Sequence, residues 1–128
     1  MVIDSSALVA ILLAEPDASI YISAILNDVT RLISAATLVE TSIVMIRRRE
    51  PDAIAALDAV VARLQLTVIP VDREQALLAR QGFRRFGKGL DRAGLNFGDC
   101  FSYALAMHLN EPLLFKGNDF TFTDVLRA

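Results

Sequence analysis

Tryptophan is absent from this 128-residue chain, and histidine and cysteine occur once each, as His108 and Cys100. A lone cysteine cannot close an internal disulfide, so a stapled secreted scaffold is excluded and a reducing compartment, by default the cytoplasm, is expected. A lone histidine removes mechanisms built on a histidine pair, and no Cys/His cluster remains to cage zinc. The longest apolar run, Ala7 to Ala14, is far shorter than the roughly 20 residues that cross a bilayer, so no membrane span is expected. Asp4 precedes that run with no Lys or Arg beside it, the wrong charge order for an export signal. Nor is there an excess of positive charge. The 13 basic and 15 acidic residues leave a net −2, which excludes a uniformly basic nucleic-acid coat but not a local basic face.

Apolar residues, by contrast, are plentiful: 54% of the chain, with a mean hydropathy of +0.44. A domain this small has too little interior to hide them all, so a protein partner or a self-interface is expected to cover the remainder. No repeat, low-complexity tract or linker divides the sequence, and residues 1–128 read as one domain. Short β-prone runs at Val2-Ile3, Leu32-Ile33, Thr67 to Val71 and Leu113 to Phe115 alternate with helix-length amphipathic stretches. Ser5-Ser6 offers a cap for a helix over Ala7 to Ala14, and Pro16-Asp17 opens a second. Further helices are predicted from about Ala36 to Arg49, from Pro51-Asp52 to about Leu64, from Asp72 to about Phe86, and from Asp99 to Asn110. Parallel strands need crossover connections, so this alternation predicts an α/β fold, a three-layer α/β/α sandwich around a parallel sheet. Ligands of such sheets bind at the carboxyl edge of the strands, where the helices begin.

Four carboxylates fall at that edge. Asp4 directly follows the first strand, and read alone it is either a helix cap or a functional acid. Glu40 is the only carboxylate between Asp28 and Glu50, and its neighbours Leu38, Val39, Ile43 and Val44 leave it little polar surface. A buried lone carboxylate costs several kcal/mol unless it is paired or bound to a metal, which favours function over a surface role. Asp99 opens the last helix, where the helix dipole alone would account for it. Asp119 sits in the turn-like Gly117-Asn118-Asp119, where an Asp often serves only its own backbone. Asp72 shares the edge, but capping explains it. The signal is the coincidence of the four. Carboxylates about 5 Å apart repel by roughly 3 kcal/mol per pair at an effective dielectric of 20, and a cation resolves that repulsion. All-oxygen ligands select a hard ion, Mg²⁺ or alternatively Mn²⁺.

Other chemistry finds little support. His108 lies nine residues beyond Asp99, about 13 Å along the helix, and cannot serve the same site. Cys100 points about 100° away from Asp99 on the helix and reads as core. A phosphoaspartate domain would want a second aspartate where this chain has Ser6. Cations gather near the acids: Arg80, Arg84, Arg85, Lys88 and Arg92 are opposed only by Asp91, and Lys116 precedes Asp119. They read either as a solvated helix face or as a grip on a phosphodiester backbone. The triplet Arg47-Arg48-Arg49 fits compensation of a helix dipole or a partner contact. Leu8, Leu12, Ile22 and Leu26 are candidates for a partner groove, a dimer seam or the core.

Four segments in order, Val2-Ile3-Asp4-Ser5-Ser6-Ala7-Leu8, Val39-Glu40-Thr41, Ala93 to Cys100 and Phe115-Lys116-Gly117-Asn118-Asp119-Phe120, resemble PIN-domain ribonucleases of the VapC toxin family across nearly the whole chain. The resemblance implies a metal-dependent endoribonuclease with a PIN-like sheet, a homodimer, and inhibition by a VapB-like antitoxin. It also implies that Asp4, Glu40, Asp99 and Asp119 form the metal-binding catalytic set, supported by Ser6 and Asn96, with Asp124 a weaker candidate. Arg84, Arg85, Lys88, Arg92 and Lys116 would then hold RNA. Ser5 departs from the threonine found in many members. The competing readings are a metal nuclease acting on DNA and a non-catalytic partner-binding module.

Overall fold

Four short strands, β1 (Val2–Ile3), β2 (Leu32–Ser34), β3 (Thr67–Ile69) and β4 (Leu113–Leu114), pair in parallel in the order β3-β2-β1-β4. The coordinates are a computed structural model that describes residues 1–128. Helices α1 (Ser5–Leu12) and α2 (Ala18–Asn27) connect β1 to β2, α3 (Ala35–Arg47) and α4 (Ala53–Arg63) connect β2 to β3, and α5 (Arg73–Phe86) and α6 (Asp99–Leu109) connect β3 to β4. The α/β class read from the alternation is the one observed.

The two-residue period of the strands divides the interior into two cores. Val2 and Leu113 point to one face and pack with Tyr103, Ala104 and Leu105 of α6. Ile3, Ile33 and Leu114 point to the other and pack with Ala7 and Leu8 of α1 and Ile25 of α2. Each such side chain contributes about 1.5–3 kcal/mol by leaving water, so strands of two or three residues suffice to hold three layers together. Leu8 is completely buried and is therefore core rather than partner groove, while Leu12 and Ile22 are half-buried and Leu26 is exposed.

Local chemistry sets the ends of the elements. β3 stops at Ile69, two residues short of the expected end, because Pro70 has no N–H to continue the ladder. The α1 cap is also not the serine pair: Ser5 and Ser6 lie inside the first turn, and the Asp4 carboxylate accepts the Ser6 N–H. Asp72 caps α5 as expected, taking the Gln75 N–H at 2.8 Å, but the Gln75 amide turns away to the Pro70 carbonyl. At Gly82 the packing of α5 on α6 is so close that a Cβ would stand 2.6 Å from the Tyr103 ring. Tyr103 cannot retreat, since its ring is buried and its hydroxyl is tied to Asp124.

The sheet order decides where a ligand fits. From β1 the chain builds toward β2 and β3, then returns to place β4 on the opposite side of β1. A crevice opens at such a switch point, outside the carboxyl ends of β1 and β4.

Candidate active site

Asp4 leaves the end of β1 at this switch point and is 1% exposed. Its Oδ2 accepts the Ser6 backbone N–H at 2.9 Å and the Ser6 hydroxyl at 2.6 Å, while Oδ1 is buried with no partner. Asp4 is thus cap and candidate ligand at once. Ser6 also accepts the Lys116 backbone N–H at 2.9 Å, which ties the ends of β1 and β4 together.

Glu40 comes from α3, whose cap is the Ser34 hydroxyl at the end of β2. Its Oε2 is likewise buried and unpartnered. Burial first, and then the charge of Asp4, push the Glu40 carboxyl above its ordinary range, with a Ser5 hydrogen bond working against them. Its head occupies the place where a side chain on Gly98 would be: a Cβ there would lie 1.9 Å from Oε1. Gly98 has an ordinary φ of −66°, so space rather than backbone freedom calls for glycine. The sequence does not display this contact; the position of Gly98 directly before Asp99 is the one local signal for it.

Asp99 begins α6 and is buried. Asn96 and Asp99 hold each other, the Asn96 N–H donating to Asp99 Oδ2 at 2.8 Å and the Asp99 N–H to Asn96 Oδ1 at 3.1 Å. The Asp99 carboxyl is pushed up to about 7, chiefly by burial, with Asp4, Asp119 and Glu40 adding to the rise and the Asn96 N–H opposing it. Asp119 is exposed on the loop after β4, close enough for its charge to act on Asp99. The four acids therefore belong to one electrostatic unit. The expectation that the four converge as one ligand set is not met by their side-chain positions, since no three of them stand together closely enough to hold an ion. Two orphaned carboxylate oxygens and a third acid forced toward its protonated form nevertheless fit a hard divalent cation, and nothing else nearby satisfies them.

The remaining chemistry-bearing residues lie apart. Cys100 is buried, donates to the Asn96 carbonyl, and has its thiol pushed up to about 11 by burial, an inert core residue. His108 faces Asp72 and Glu74 at the other end of α6. Asp124 bonds the Tyr103 hydroxyl at 3.0 Å and Arg85 at 2.7 Å, so its carboxylate is spent on pinning the C-terminal segment to α5 and α6. Of the five cations expected to hold RNA, Lys116 is engaged by Glu15 and by Asp17, Arg85 by Asp124, and Arg92 lies over the Phe122 ring. Arg84 and Lys88 are exposed.

Comparison with known proteins follows the same lines. A family model described as PIN domain matches residues 1–126. The chain is 50% identical to a Ribonuclease VapC of Mycolicibacterium smegmatis over 125 residues, covering 98% of this chain and 97% of that protein. It is 48% identical to Ribonuclease VapC28 of Mycobacterium tuberculosis, over 100% of this chain and 97% of that one. Among solved structures, Mycobacterium tuberculosis VapC20, described as a toxin that cleaves the sarcin-ricin loop, superposes with a TM-score of 0.79 at 17% identity, covering 99% of this chain and 97% of that one.

Proposed function

This chain belongs to the PIN-domain family, and from that premise we propose that it is a metal-dependent endoribonuclease, the toxin of a toxin–antitoxin pair. The observation that carries the reading is the pair of buried, partnerless oxygens, Asp4 Oδ1 and Glu40 Oε2, beside Asp99. Asp4, Glu40, Asp99 and Asp119 would hold Mg²⁺ or Mn²⁺. Such an ion supplies a water of lowered pKa and neutralises charge on a scissile phosphate. The protein's own part is positional: Ser6 fixes the rotamer of Asp4, Asn96 that of Asp99, and Lys116, anchored by Glu15 and Asp17, steadies the loop that carries Asp119. Arg84 and Lys88 face solvent and are the cations most available to RNA phosphates, with Arg85 and Arg92 alongside. Exposed Val39, Ile43 and Ile46 line one face of α3 at helical spacing, and such a patch suits the VapB-like antitoxin and the homodimer that this reading includes.

Neither His108 nor Cys100 is placed to activate a ribose 2′-hydroxyl, so hydrolysis by water is expected, with the proton leaving on the 3′-oxygen. Incubation with RNA and Mg²⁺ should give 5′-phosphate and 3′-hydroxyl ends, and a chelator should stop the reaction. Recovery of 2′,3′-cyclic phosphate, or cleavage of DNA as readily as RNA, would overturn the reading.

Stability provides an independent check. The folded chain holds Asp99 protonated up to about pH 7, whereas the ordinary value is 3.8. Between those values the native state binds more protons than the unfolded one, so stability falls as pH rises. Glu40 acts with the same sign. The carboxyls held below their ordinary values, such as Asp17 and Asp28, titrate under this window. In chelator, the melting temperature is expected to drop by roughly 5 °C between about pH 5 and pH 8. Mg²⁺ should restore it at the higher pH and do little at the lower. A chelated protein whose melting temperature is flat across this range would contradict the assignment.

A further inference from the structure

Helices α3 and α6 each bring one acid to the site, Glu40 and Asp99, and these carboxylates repel: the charge of Glu40 is among the causes that raise the Asp99 carboxyl. Something other than the acids must hold the two helices at a fixed separation. One turn along each helix from its acid, the Thr37 and Ser102 hydroxyls meet at 3.0 Å. Both residues are sealed from water, 1% and 0% exposed, and they lie 65 positions apart in the chain.

This pair departs from what helical hydroxyls ordinarily do. Thr41 and Ser42 of α3 return theirs to the carbonyls four residues back, those of Thr37 and Leu38, the local bond open to any serine or threonine in a helix. Thr37 and Ser102 bond across the helix boundary instead. An apolar contact at this place would be non-directional and would let α3 slide along α6. A hydrogen bond has a preferred length and angle, and a buried hydroxyl without a partner is penalised, so the bond selects one register.

Helix geometry carries that register to the acids. Glu40 lies three residues after Thr37, and Ser102 three after Asp99, a step of about 4.5 Å along the axis that makes each hydroxyl and its acid neighbours on one helix surface. The Glu40 head fills the space that a Cβ on Gly98 would take. A slide of α3 against α6 would therefore either drive Glu40 into the Gly98 backbone or draw it away from Asp99.

We propose that the buried Thr37–Ser102 hydroxyl pair is a positioning device for the metal site, fixing the register of α3 against α6 and with it the place of Glu40 relative to Asp99. Thr37 and Ser102 are then positioning residues that act through the acids rather than on RNA. The inference rests on the metal-dependent reading given above.

The test uses the full chain, with Mn²⁺ titrated in the absence of RNA and followed by calorimetry, and RNA cleavage measured alongside. The double variant Thr37→Val/Ser102→Ala removes both hydroxyls and leaves neither orphaned, so its melting temperature in chelator should stay within a few degrees of the wild type. Its dissociation constant for Mn²⁺ should rise about tenfold and its kcat fall about as much, while KM for RNA changes by less than about threefold. Ser102→Ala alone, in which Thr37 is free to turn its hydroxyl back to its own helix, should show the same loss of Mn²⁺ affinity. Thr37→Ser keeps the hydroxyl and should bind Mn²⁺ as the wild type does. If the wild type binds no Mn²⁺ and cleaves no RNA, the metal-nuclease reading fails and this inference with it. If the wild type binds Mn²⁺ and both hydroxyl-free variants bind it equally well, only the positioning role is overturned. A lower melting temperature in chelator with Mn²⁺ affinity unchanged would likewise reduce the pair to a bond that serves stability alone.

Discussion

Replacing Asp4 by asparagine is expected to reduce RNA cleavage at least about 100-fold and, without added metal, to make the protein more stable rather than less. Asp4 Oδ2 receives the Ser6 N–H and hydroxyl, and an asparagine oxygen accepts both, so the α1 cap survives. Oδ1 has no partner, and the amide NH₂ that replaces it is a donor among acceptors. The substitution also removes a negative charge that raises the carboxyls of Glu40 and Asp99. A gain of about 1 kcal/mol in chelator follows from relieving that repulsion, with loss of the stabilisation that Mg²⁺ gives the wild type. Urea denaturation with and without Mg²⁺, alongside cleavage assays, checks both signs. Undiminished cleavage would remove Asp4 from the site, and a large loss of stability in chelator would make it a structural acid.

Gly98→Ala should be nearly as damaging while adding only one methyl group. The new Cβ would stand 1.9 Å from Glu40 Oε1 and 2.2 Å from Cδ. Alanine is at ease at the Gly98 backbone angles, so strain falls on the Glu40 head, the free end of a flexible side chain. That head moves, and misplacement of a catalytic group by about 1 Å costs on the order of 100-fold in rate. The melting temperature should stay within a few degrees of the wild type. If the methyl acts only through Glu40, then in a Glu40→Gln background it should add less than about threefold, because both changes disable the same group. Full additivity would mean that Gly98 matters for another reason.

Much of the proposed site is legible in the sequence. Asp4, Glu40 and Asp99 were marked by their places at strand ends and helix starts, and the parallel alternation implied that the sheet gathers such places on one edge. Glu40 stood out because an acid among Leu38, Val39, Ile43 and Val44 demands a partner, and burial did push its carboxyl up. By residue type Asp4 and Ser5-Ser6 are equally good caps, and one residue of phase makes Asp4 the cap of α1. Leu8 and Leu26 lie on apolar helices and looked alike, yet one is sealed against Ile3 and Ile33 and the other is exposed. Helical periodicity shows that a face is apolar, not what covers it.

The cations show the same limit more sharply. Arg84, Arg85, Lys88, Arg92 and Lys116 formed one basic group in the sequence, but folding brings Glu15 and Asp17 to Lys116, about a hundred residues away, and Asp124 to Arg85. Element types and the chain positions of the candidate acids follow from local patterns, since caps, periodicity and proline breaks act within a few residues of the chain, and the α/β class follows from how the elements alternate. The orphaned oxygens of Asp4 and Glu40 and the space kept open by Gly98 depend on atoms brought together from different elements. Their distances are set by the packing of three layers as a whole, and no short stretch of sequence contains that sum.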